Sequence, residues 1–288
     1  MQNTRANTIT NTIKNAVRRF CLRTPILRDL YVMARKIHYV RRAVKAGESY
    51  FINLDEYRQA LELEDGKIVD IRTRDGLILT IRRNYMDAAI LAEVFLDNCY
   101  VRGLTIPDQP IVVDIGGYIG DFALYAANRL NARKVVVCEP SPRNWVLLKK
   151  NVANNHYEDR VEMVNKAVTD GEDVMLNVDA PDRGQARVSA YYGSNNLDRR
   201  TVPGVTLASL VEDYGLRVID LLKIDCEGGE YTILSTTPTE VFDRIRNVVF
   251  EYHEIDGFKA KLTAVKQKLC DEGFSLKARG SLISASRG

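Results

Sequence analysis

The stretch Ile111–Asp121, IVVDIGGYIGD, decides how the rest of the chain reads. A continuous apolar run ends in Gly116 and Gly117, and Gly120 precedes the helical pattern DFALYAANRL. An apolar strand, a glycine turn and a helix together open a sheet that is covered on both faces. The glycines let a ligand approach the backbone, and in parallel sheets ligands sit outside the carboxyl ends of the strands. The spacing is D-x-G-G-x-x-G, not the G-x-G-x-x-G of a pyrophosphate cradle. Asp114, just before the glycines, is a poor neighbour for a phosphate and a good one for a cation.

The alternation continues downstream. KVVVCEP (134–140) is a second buried strand. SPRNWVLLKKNVANN (141–155) is a helix with Ser141 as cap and Pro142 at its first position. VEMVNKAV (161–168) is a third strand, and TLASLVEDYG (206–215) a helix closed by Gly215. VIDLLKIDCEG (218–228) and NVVFEYH (247–253) are the fourth and fifth strands. FKAKLTAVKQKLCDEG (258–273) is an amphipathic helix ended by Gly273, and FSLKARGSLISASR (274–287) a hairpin. Apolar strands alternating with helices predict a mainly parallel α/β sheet with helices on both faces. One segment breaks the rhythm. Residues 180–204 are polar and rich in Arg and Tyr, and such a long irregular stretch is usually functional or disordered. Arg183, Arg187, Tyr191, Tyr192, Arg199 and Arg200 are read there as a lid over an acceptor, with a solvated insertion as the alternative.

Three regions follow: a basic helical arm (1–47), an accessory hairpin and helix (48–108), and the α/β domain (109–288). In the accessory region KIVDIRTRDGLILTIRR (67–83) is a hairpin around Asp75-Gly76. Asp87 is read as the cap of the apolar helix after it. The arm carries +10 against a whole-chain charge of +3, so the remainder carries −7. Such an arm touches anionic lipid, or packs as a solvated helix on the body or on a second copy. It lacks the interleaved aromatics of a nucleic-acid surface, so nucleic acid is not an expected partner. The five cysteines are scattered and odd in number, which predicts reduced thiols and a cytoplasmic location, peripheral to a membrane if the arm binds lipid. No apolar run is long enough for a membrane span, and no signal peptide is visible.

The chemistry concentrates at predicted strand ends. Glu139 follows the second strand, about 20 residues beyond the glycine turn, where an acid can accept hydrogen bonds from a ribose diol. With a glycine turn that needs no phosphate, this suits S-adenosylmethionine. LLKIDCEGGEY (221–231) leaves the core in a run of acids. Asp225 is the first candidate there, as general base, metal ligand or anchor of the cofactor's tail, followed by Glu227 and then Glu230. The competing reading is a structural ion-pair network with Lys223 at a helix start. His253 follows the fifth strand, at the same sheet edge, and is a candidate base or metal ligand. Glu251 lies beside it as a supporting residue.

VVDIGGYIGDFALYAA, VVVCEPSPRNWVLLKKNV, VEMVNKAV, VTLASLV and IDLLKIDCEGGEYTIL, in this order and spacing, resemble the FkbM-type family of S-adenosylmethionine-dependent methyltransferases. The likeness runs from Ile111 to the C-terminus, and residues 67–101 resemble the lead-in segment of some members. It implies a class I methyltransferase, Rossmann-like fold of seven strands with the last antiparallel. It implies methyl transfer to a hydroxyl of a sugar, glycan, glycolipid or secondary metabolite. Asp114, Gly116, Gly117 and Gly120 would then form the cofactor turn, with Tyr118 inside it. Glu139 would bind the ribose, and Asn165 and Ala167 would lie by the adenine. Many members have Ala-Asn where this chain has Gly117-Tyr118. A divalent metal on Asp225 remains open. The alternatives are an NAD-dependent oxidoreductase, disfavoured by the glycine spacing, and a nucleic-acid methyltransferase.

Overall fold

The computed structural model describes residues 37–178 and 198–287. The chain divides into two compact units, Met1–Ser49 and Tyr50–Gly288. In the first, residues 37–47 are helical, with Arg41, Arg42 and Lys45 exposed. The rest of the basic arm lies outside the described residues. No helix of the described residues is long and apolar enough to cross a membrane.

The second unit opens with α1 (Leu54–Glu62), then the antiparallel hairpin β1 (Ile68–Arg72) and β2 (Ile78–Arg82). Gly76 sits in its turn at φ 91°. Next comes α2 (Tyr85–Leu91), which runs into a π-helical turn, Ala92–Leu96. The cap of α2 is Asn84, whose side chain accepts the Asp87 amide at 2.8 Å. Asp87 is therefore not the cap. Its carboxylate is fully buried and turned inward onto Arg82, which outcompetes the local backbone for it.

The core follows as β3 (Ile111–Ile115), α3 (Asp121–Asn128), β4 (Lys134–Cys138), α4 (Pro142–Asn154) and β5 (Val161–Val164). The chain then leaves the main sheet. β6 (Ala167–Val168) pairs with β9 (Gly204–Val205), and β7 (Val174–Val178) pairs antiparallel with β8 (Asp198–Val202). The C-terminal end of the predicted irregular segment is thus a strand. Val202 is the one apolar residue of DRRTV; it packs with Ala167 and Leu176 in a small cluster while the strand pairs with β7. Arg183, Arg187, Tyr191 and Tyr192 lie outside the described residues. The chain returns through α5 (Leu207–Asp213), β10 (Leu221–Ile224), α6 (Glu230–Thr236), α7 (Thr239–Phe242), β11 (Asn247–Glu251), α8 (Phe258–Asp271), β12 (Ser275–Arg279) and β13 (Leu282–Ser286).

The main sheet has seven strands in the order β12-β13-β11-β10-β3-β4-β5. Strands β11, β10, β3, β4 and β5 run parallel, and β13 is antiparallel between β11 and β12. This is the class I methyltransferase arrangement. Every residue of β10 is buried, as expected for a strand covered on both faces. From β3 the sheet grows through β4 to β5 on one side, and through β10 to β11 on the other. That reversal opens a crevice at the carboxyl ends of β3 and β10, where ligands bind in such sheets.

Candidate functional site

A cavity of about 450 Å³ occupies that crevice. Its floor is the glycine turn after β3. Gly116 has φ 80°, and a side-chain carbon there would lie 1.8 Å from the Asp225 carbonyl oxygen. At Gly117 the same atom would meet Val137 at 2.1 Å. These two glycines let the turn press against β10 and β4, so both are fixed by close approach. Gly120, at φ 86°, precedes α3. Tyr118 also lies in the left-handed region, at φ 50°, which is uncommon for an aromatic residue.

Glu139, at the end of β4, stands across from the turn and is 4% exposed. Its carboxylate accepts the amides of Tyr118 and Ser141, each at 2.8 Å, with Asn144 Nδ2 at 3.4 Å. Burial pushes its pKa up to about 7 against the pull of these donors. Asp121, at the start of α3, lines the same cavity, is 5% exposed, and has one carboxylate oxygen without a hydrogen-bond partner. Burial, partly offset by Lys223 and reinforced by Asp114, raises it to about 7.

Asp114 sits deeper. It faces Lys223 in the β3–β10 register, and the two form a buried ion pair at 3.0 Å. Lys223 Nζ also donates to the Gly116 carbonyl at 2.7 Å, which ties the glycine turn to β10. Burial opposes the charge on Lys223, but Asp114, Asp225 and Asp121 together hold it protonated. Of the expected cofactor residues, Gly116, Tyr118, Glu139 and Ala167 line the cavity, whereas Asp114, Gly117, Gly120 and Asn165 do not. Asn165 is exposed, and its side chain donates to the Glu139 carbonyl at 2.8 Å, steadying the end of β4.

In the same cavity, the chain leaving β10 and β11 brings Asp225, Glu227 and His253 together. His253 Nε2 lies 3.9 Å from Asp225 Oδ1 and 3.6 Å from Glu227 Oε2. Its Nδ1 is 2.8 Å from Glu230 Oε1. Glu230 is fully buried; its carboxylate also accepts the amides of Cys226 at 3.1 Å and Gly228 at 2.9 Å. One carboxylate thus shapes the sharp turn after β10 and orients the imidazole. Burial works against a charged ring, but Glu230, Glu227 and Asp225 push its pKa up to about 9. Glu251 is raised by burial and by Asp225, and accepts the Ser281 hydroxyl at 2.6 Å. Asp225, Glu251 and His253 each offer an atom within 4.8 Å of the others, a set that could hold a divalent cation.

The accessory region supplies residues that the sequence did not single out. The Tyr100 hydroxyl donates to Asp225 Oδ2 at 2.6 Å, across 125 residues of chain. Met86, Ile90 and Glu93 wall the cavity from α2 and its π-helical turn. A π-turn at a cavity is a recurrent sign of a functional position, but nothing in AAILAEVFL announces it.

A family model described as the Methyltransferase FkbM domain matches residues 114–276, more than half of the chain. Methyltransferase sdnD of Sordaria araneosa is 26% identical over 215 residues, 65% of this chain and 82% of that protein. The 31-O-demethyl-FK506 methyltransferase FkbM of Streptomyces tacrolimicus is 28% identical over 215 residues, 65% of this chain and 81% of that protein. A solved methyltransferase FkbM from Methylobacillus flagellatus aligns with TM-score 0.46 at 11% identity, over 81% of this chain and 58% of that chain. The chain belongs to the FkbM methyltransferase domain family, and it is an enzyme of that S-adenosylmethionine-dependent class.

Proposed function

We propose that the chain is an O-methyltransferase that methylates a hydroxyl of a sugar, glycan, glycolipid or secondary metabolite. The relative from Streptomyces tacrolimicus supports this, since its name places the methyl group on an oxygen. The turn end of the cavity fits S-adenosylmethionine. Glu139 keeps lone pairs after accepting two amides, which suits a ribose diol. The unpartnered oxygen of buried Asp121 suits a cationic tail. Gly116, Tyr118 and Ala167 would line the remainder of the bound donor. When bound, S-adenosylmethionine supplies an electrophilic methyl group.

The chain's own part is to hold the acceptor hydroxyl and take its proton. The observation that carries this reading is the 2.8 Å contact between buried Glu230 and His253 Nδ1. It fixes the Nδ1 proton, so the neutral ring presents Nε2 to the cavity as the acceptor. Asp225, held by Tyr100, orients the hydroxyl, and Glu227 stabilises the ring once it is protonated. A His253→Gln variant, assayed as S-adenosylhomocysteine release over a panel of hydroxylated acceptors, is expected to lose about 10²–10⁴-fold in kcat with unchanged donor affinity. The rate of the unaltered chain should climb with pH and level off above about 9, where His253 is neutral. Full activity in the variant, or a flat profile from pH 6 to 9, would remove His253 as the base. A second reading follows from the Asp225, Glu251 and His253 set, a divalent cation that lowers the pKa of the hydroxyl. Loss of activity in EDTA with rescue by Mn²⁺ would favour it.

A further inference from the structure

Asp87 is a fully buried carboxylate that the methyl-transfer chemistry does not use. Arg82, at the end of β2, forks onto it, with Nε to Oδ2 at 2.9 Å and Nη2 to Oδ1 at 3.1 Å. The Arg82 amide donates to the same carboxylate at 2.9 Å. The Tyr118 hydroxyl donates to Asp87 Oδ1 at 2.6 Å. The Arg82 guanidinium also lies over the Tyr118 ring, 5.2 Å from its centre, and donates to Asn144 Oδ1 at 3.1 Å. Tyr118 and Asn144 are two of the groups that hold the Glu139 carboxylate. A left-handed tyrosine persists only where its surroundings over-determine it, and this network does so. Arg82 and Asp87 both precede the residues matched by the family model, 114–276.

We propose that Arg82 and Asp87 are positioning residues for donor binding: their buried ion pair fixes the Tyr118 hydroxyl, and Tyr118 fixes the glycine turn and Glu139. This rests on the reading that the turn end of the cavity takes S-adenosylmethionine. The accessory hairpin and helix thereby complete the donor site. Because α2 also walls the cavity with Met86 and Ile90, the latch ties that wall to the glycine turn.

Two conservative variants test it. Tyr118→Phe keeps the ring over Arg82 and deletes the hydroxyl; Asp87→Asn keeps the shape and deletes the charge. In the ligand-free protein, hydrogen exchange at the amides of 117–120 should speed up in both, with β12 and β13 unchanged. Calorimetric titration with S-adenosylmethionine should show about tenfold weaker binding in each single variant. The double variant should bind no more weakly than either, because hydroxyl and carboxylate act as one unit. Unchanged exchange at the turn overturns the latch whatever the donor does. A loosened turn with full donor affinity, or losses that simply add, overturns the positioning role. If the unaltered chain fails to bind S-adenosylmethionine while the turn still loosens in the variants, the donor reading has failed, and the proposed role falls with it.

Discussion

Gly116 and Gly120 belong to one turn and both have positive φ, yet they answer to different constraints. At Gly116 an added methyl would sit 1.8 Å from the Asp225 carbonyl oxygen, a backbone atom that cannot step aside. At Gly120 the nearest atom is Leu148 Cγ, at an ordinary 3.4 Å. Gly120→Ala should therefore cost about 1–2 kcal/mol, the penalty of a left-handed alanine. Gly116→Ala should cost about 3 kcal/mol or more, because β3 and β10 must also be forced apart. Urea denaturation of the two variants checks the ranking, and equal losses would refute the close-approach account. The sequence marked both glycines but could not rank them, since the clash is with a residue more than a hundred positions away. The same limit applies to Asp114 and Lys223, which are strand neighbours only once β3 and β10 pair. Asp225, Glu139 and His253 were legible because each follows an apolar run, and all apolar runs of a parallel sheet end on one edge.

The hairpin is attached to the core by helix α4, through amides that imitate a strand. Asn151 Oδ1 accepts the Thr80 amide at 2.6 Å, and its Nδ2 donates to the Thr80 and Ile119 carbonyls at 2.9 and 2.8 Å. The side chain of Asn155 does the same for Ile78, with both contacts at 2.8 Å. The match is geometric: four helical residues rise about 6 Å, and two strand residues about 6.7 Å. The edge of β2 is thereby satisfied without another strand. Asn151→Ala strands three buried backbone groups and should lower stability by about 2–4 kcal/mol. The Asn155→Ala change, at a less buried position, should lower it by about 1–2 kcal/mol. Chemical denaturation measures both, and a loss below 1 kcal/mol for Asn151→Ala would count against the amide ladder. From the sequence, KKNVANN reads only as the polar end of a helix. Asparagine is a poor helix former, and this run of them makes sense only once the partner strand is known.

Among the described residues, Asp121, Glu139 and His253 hold a proton more tightly in the folded chain than in the unfolded one, and burial shifts Asp114 and Glu251 the same way. Asp121 and Glu139 are raised to about 7 and His253 to about 9. Each contributes stability that is present below its unfolded pKa and lost as pH rises through its folded value. Asp75, lowered by Thr73, Arg129 and Tyr50 against its own burial, acts oppositely and loses its contribution only in acid. Stability should therefore peak in mild acid and fall by about 5 kcal/mol, or roughly 10–20 °C in melting temperature, between pH 6 and pH 9. Melting curves across that range check it, and a stability that rises toward pH 9 would contradict the assigned shifts. S-adenosylmethionine should raise the melting temperature more at pH 8 than at pH 5.5, since a cation is best received by the ionised Asp121.

The position of β13 has a consequence for synthesis. Strand β12 touches the sheet only through β13, which follows it in the chain and runs between it and β11. As the polypeptide leaves the ribosome, β12 emerges before its strand partner exists, and the edge of β11 stays open for the same interval. Unpaired strand edges of this kind invite association between nascent chains. They close only once residues 282–286 have left the ribosome, so delaying the emergence of that segment should raise the share of chains that a chaperone must hold.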